Sequence, residues 1–94
     1  MYIAHRTTIH CVCPHGGWDY YDVIFEPEPL EGQLVTTEGF ESVCGKARGR
    51  KDYQEDILRV LATELKKRRM YGRLEISGRH GSNTRTVVSA KVEE

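Results

Sequence analysis

A thiol and a carboxylate stand six residues apart in this chain, at Cys13 and Asp19, with Pro14-His15-Gly16-Gly17-Trp18 between them. A cysteine attacks as its thiolate, and an acid beside it can protonate the negative charge that the attack creates. The pair therefore suits covalent addition to an electrophile. Plainer readings stand beside this one. An isolated cysteine is most often a small buried hydrophobe, and an aspartate can simply stabilise a turn.

A second candidate is Glu55, at the start of the clearest helical stretch. Asp52 can cap that helix with Glu55 three residues on, which is also the pattern of an ordinary capping box. His10, Cys11, Cys13 and His15 invite a zinc reading. A C-x-C with two flanking histidines is not a usual structural site and no second cysteine pair follows, so no metal is expected. Lys46, Arg48, Arg50 and Lys51 read as a mobile basic loop, a solvated surface or an anion contact.

These groups must be held by regular elements. Residues 7–13 alternate as a strand, with Ile9, Cys11 and Cys13 on one face and Thr8, His10 and Val12 on the other. Pro14 ends regular pairing and the two glycines ease a turn. Residues 19–26 resume as a strand, so the opening segment reads as an antiparallel hairpin that places Cys13 and Asp19 at its rim. Residues 33–37 are extended in character, and residues 38–44 suit a short helix. Over residues 52–69, Ile57, Leu58, Leu61 and Leu65 recur at helical spacing and basic residues gather at the C-terminal end. Residues 73–78 and 84–92 form a second hairpin around His80-Gly81-Ser82-Asn83.

The order is strand, strand, short helix, long helix, strand, strand. A four-stranded antiparallel sheet with helices on one face fits it, an α+β domain. At 94 residues the chain is read as one domain, residues 1–94. A domain of this size buries only about 60–65% of its unfolded surface. Only 38% of residues are hydrophobic, so a homo-oligomer that closes the sheet edges into a barrel is expected. Fourteen basic residues balance fourteen acidic ones, without the global field of a dedicated nucleic-acid binder. An odd cysteine count of 3 and no secretory leader suggest a reducing, cytoplasmic setting, and no apolar run is long enough for a membrane span.

Cys13-Pro14, Gly17, Asp19 and the alternating Asp22-Val23-Ile24-Phe25 resemble the 7-cyano-7-deazaguanine (preQ0) nitrile reductases of the tunnelling fold, with a turn one residue shorter. Tyr53-Gln54-Glu55-Asp56 is similar to that family's Phe-His-Glu-Asp. The closing hairpin matches in order, without the family's Pro-Arg-Gly-Gly turn. The resemblance implies a tunnelling fold, β-β-α-α-β-β, with sites at subunit interfaces. It implies Cys13 as the nucleophile that adds to the nitrile carbon and Asp19 as the proton donor. Glu55 would hold the edge of the deazaguanine base, with Gln54 beside it in the histidine's place. Glutamine can hydrogen-bond but cannot carry a proton at neutral pH.

One departure bears on the reaction. Where family reductases carry Glu-Ser-Lys-Ser-x-Lys, tied to NADPH, this chain has Thr36-Thr37-Glu38-Gly39-Phe40-Glu41. Glutamates in place of lysines would repel a phosphorylated cofactor. A sister branch without the cofactor motif lets ammonia attack the same thioimide, giving the amidine of archaeosine-type bases. The resemblance thus implies a preQ0-processing enzyme of queuosine or archaeosine biosynthesis, with amidine formation ahead of NADPH-dependent reduction to preQ1. A non-catalytic binding or assembly module of the same fold is the third reading.

Overall fold

The computed structural model describes residues 3–80 and 82–94, apart from the side chains of Trp18 and His80; Gly81, in the second hairpin turn, lies outside them. Four strands form one antiparallel sheet in the order β1-β2-β3-β4: β1 His5–Val12, β2 Trp18–Pro27, β3 Gly72–His80 and β4 Thr84–Val92. Two helices, α1 Thr37–Gly45 and α2 Gln54–Lys67, connect the hairpins. This is the element order expected from periodicity.

The core lies between one face of the sheet and the helices. Ile9 and Cys11 of β1, Val23 and Phe25 of β2, and Leu74 and Ile76 of β3 are essentially inaccessible. Across from them Ile57, Leu61 and Leu65 of α2 recur one turn apart and are equally buried, the apolar stripe that drives an amphipathic helix onto a sheet. Burying each such side chain contributes roughly 1.5–3 kcal/mol. Phe40, Val43 and Cys44 of α1 complete the cluster. Thr36 caps α1, its hydroxyl oxygen accepting from the Gly39 N–H at 3.0 Å.

The opposite face is polar, as is common for antiparallel sheets. Asp22 sits at its centre, accepting from Thr8 Oγ1 at 3.1 Å and pairing with Arg6 at 3.2 Å and Arg85 at 3.3 Å.

Two local expectations are corrected. The N-cap of α2 is Tyr53, with no side-chain capping bond. Asp52 turns instead to Arg50 at 2.8 Å, because an ion pair two residues away competes with the cap. No capping box forms, and Glu55 falls in the first turn with its side chain exposed. The basic loop is also tied down rather than loose. The Gly49 N–H donates to the His10 carbonyl (2.8 Å), the Val12 N–H to the Arg50 carbonyl (2.9 Å), and Arg48 Nη1 to the Thr8 carbonyl (3.0 Å). Ala47 is fully buried beneath it and takes the Cys11 thiol on its carbonyl at 3.4 Å.

Candidate functional site

The turn after β1 is built by its own sequence. Pro14 presets the backbone at the second turn position, and the Gly16 N–H closes the turn on the Cys13 carbonyl at 2.9 Å. Gly16 and Gly17 then take φ of 104° and 84°, conformations that a side chain would strain. The Cys13 N–H reaches the Gly17 carbonyl at 3.0 Å. Cys13 is thereby held at the mouth of the hairpin, half-buried, one residue beyond β1. Asp19 lies across the hairpin, opposite Cys11 in the strand register.

A cleft of about 290 Å³ opens at this end of the sheet. Cys13, Asp19, Gln54 and Glu55 all line it, so the structure brings together the four residues that the resemblance assigned to catalysis and base binding. A larger hollow of about 430 Å³ lies at the other end of the sheet, between Pro27 and Lys91. Its lining has no cysteine, and the cleft holding Cys13 is the better candidate on chemistry.

The four residues differ in setting. Glu55 projects from the first turn of α2, and among the described residues no side chain pairs with its carboxylate. Gln54 is 4% exposed. Its Nε2 donates to the Ile76 carbonyl at 3.1 Å and to the Thr86 carbonyl at 2.8 Å. Gln54 thus ties the start of α2 to β3 and β4 and fixes where the neighbouring Glu55 stands. Its amide hydrogens are taken by the scaffold, which gives it a positioning part as well as a place in the wall.

Of the other lining residues, His15 was read only as a zinc candidate, Asp52 as a helix cap and Tyr53 as part of the motif around Glu55, whereas Tyr21 and Thr86 were not singled out from the sequence. Tyr53 and His15 meet at the rim, Oη to Nε2 at 3.4 Å, with ring centroids 5.6 Å apart. Tyr53 occupies the first position of the motif around Glu55, and Tyr21 shares the inner face of β2 with Asp19 at a spacing of two. Those were the available signals. Thr86 arrives from β4 through register alone.

Tyr21 is 3% exposed and directly faces Gly78 of β3. A Cβ on Gly78 would lie 2.5 Å from Tyr21 Cε1 and 3.2 Å from Gln54 Oε1. Glycine therefore lets the phenol ring lie against the strand. The Tyr21 hydroxyl points to Asp19 Oδ2 at 3.4 Å. Burial, then the nearby charge of Asp19, pushes the phenol up to about 12, so it stays protonated and can donate.

Of the three cysteines, Cys11 and Cys44 are buried. Burial raises the Cys11 thiol and pushes Cys44 up to about 12. Cys13 alone is accessible. The zinc grouping is split by the strand: Cys11 enters the core, whereas His10 stacks on Tyr20 with centroids 4.2 Å apart. Among the described residues no set of three or more His, Cys, Asp or Glu is grouped to hold a metal ion.

The segment in the place of the NADPH motif starts α1. Phe40 is in the core and Glu41 pairs with Arg48 at 3.0 Å. With Glu38 acidic in the first turn of α1, this donor set does not fit a phosphorylated cofactor.

No family model matches the sequence, and no curated protein matches it. Among solved structures, that of the archaeosine synthase QueF-Like in the apo form aligns over 95% of this chain and 92% of its own, with a TM-score of 0.75 and 21% identity. No described helix is long and apolar enough to cross a membrane. The chain has the fold of that synthase, the tunnelling fold with β-β-α-α-β-β order, as the resemblance in its motifs implied.

Proposed function

We propose that the cleft binds 7-cyano-7-deazaguanine and processes its nitrile through a covalent thioimide on Cys13, with ammonia completing the reaction to an amidine. The observation that carries this is the meeting of Cys13, Asp19 and Glu55 in one cleft. No capping box forms at Glu55, so capping does not account for it. The fold shared with an archaeosine synthase adds support.

Each group has a defined task. A deazaguanine edge presents a ring N–H and an exocyclic NH2, and the unpaired Glu55 carboxylate can accept both. The Cys13 sulfur adds to the nitrile carbon: an S–C bond forms, one π bond of C≡N breaks, and the thiol proton ends on nitrogen. Asp19 carries that proton across, taking it from sulfur and handing it to nitrogen. Ammonia then attacks the thioimide carbon. The C–S bond breaks, the proton of the attacking nitrogen returns to sulfur, and an amidine leaves with Cys13 restored. We further propose that the chain works as a homo-oligomer, with neighbouring copies completing the cleft.

Incubation with preQ0, read by intact mass and thioimide absorbance, tests the reading. Wild type should gain the mass of one preQ0 and Cys13→Ala none; wild type that gains no mass rejects it. Ammonium, but not NADPH, should then discharge the adduct. Discharge by NADPH alone would assign the chain to nitrile reduction. Binding of preQ0 without an adduct would make the domain a binding module.

A further inference from the structure

Tyr21 has no part in the chemistry just described, yet it is the one phenol enclosed in the cleft. Its ring is buried, seated against Gly78, and its hydroxyl faces Asp19 Oδ2 at 3.4 Å. A tyrosine needs no glycine opposite it merely to fill a core; here any larger residue at position 78 would push the ring aside and meet Gln54 as well. The phenol can serve Asp19 only as donor while its own proton is held, and burial beside that carboxylate keeps it held.

We propose that Tyr21, seated on Gly78, is a positioning residue that fixes the Asp19 carboxylate for proton transfer to the nitrile nitrogen. The inference rests on the covalent reading above. An aspartate on the second residue of a strand can rotate about two torsions. A donor engaged on Oδ2 removes that freedom and leaves Oδ1 for the substrate. It also stabilises the carboxylate that remains once the proton has gone to nitrogen. At 3.4 Å the contact is long for O–H···O. Catalytic hydrogen bonds are often this long in a free enzyme and tighten in the substrate complex.

The test compares single-turnover adduct formation with preQ0 in wild type and Tyr21→Phe, which keeps the ring on Gly78 and removes only the hydroxyl. The rate at saturating preQ0 should fall about tenfold, the low end for a hydrogen bond to a charged group. The half-saturating concentration should stay within about twofold, a split that general loosening would not give. Adduct formation at the wild-type rate overturns the proposal. A second measurement needs no turnover: at pH 7 the Tyr21 Cζ resonance should move in Asp19→Asn, and an unmoved resonance rejects the contact. Wild type that forms no adduct removes the covalent reading and the catalytic part of the proposal with it. The resonance then still decides whether the two side chains are paired.

Discussion

Thiol chemistry in this chain is sorted by burial. Cys11 and Cys44 are enclosed and their thiols raised, while Cys13 stands at the hairpin mouth. Folded protein treated with iodoacetamide at pH 8 should therefore take up one label, on Cys13, and all three only after unfolding; peptide mass mapping checks this. The same burial has a cost at high pH. A thiol raised from 9.0 to about 12 in the fold favours folding below pH 9, because the unfolded thiol ionises first above it. Stability should thus decline from about pH 9 towards 12, with Tyr21 adding to the loss above pH 10, as urea midpoints across that range will show. In the proposed function Glu55 contributes to ligand rather than fold. Glu55→Ala should weaken preQ0 binding by about a hundredfold, two charge-assisted hydrogen bonds being lost. The melting temperature should hardly move, since the side chain is exposed.

At the level of elements, the site depends on how the start of α2 meets β3 and β4. Gln54 makes that joint with two hydrogen bonds from one amide. Gln54→Ala leaves two carbonyls without their partner and should cost about 2–3 kcal/mol, or roughly 10–20 °C in melting temperature for a domain of this size. The strands and the long helix were legible in sequence from their patterning, whereas the stretch holding α1 was hard to read: β4 has the expected bounds, and β1 and β2 differ from expectation by one or two residues. That Cys13 and Asp19 line one cleft was legible because one short turn joins them. Other features were not. Asp52 reads as a cap until Arg50 is seen to claim it. The basic loop reads as free because its partners on β1 are about 40 residues away in the chain. Tyr21 gains its meaning only from Gly78, which reaches it through strand register.

For the molecule as a whole, the sheet has one face under helices and one polar face organised by Asp22. In the proposed assembly that polar face lines a wet interior, where charged groups keep their hydration. Light scattering should give a mass that is a multiple of 10.8 kDa; a monomer at working concentration rejects the assembly. The loop tied along β1 constrains how copies join, for it already takes the carbonyls of Thr8 and His10 and the N–H of Val12. The beginning of β1 and the outer side of β4 carry no such cover among the described residues. The loop is in this sense a self-inhibitor of cross-β growth. Were residues 47–51 replaced by a glycine-serine tether, the bared stretch of β1 would recruit stray strands, and turbidity or amyloid-dye fluorescence would rise where the intact chain stays clear.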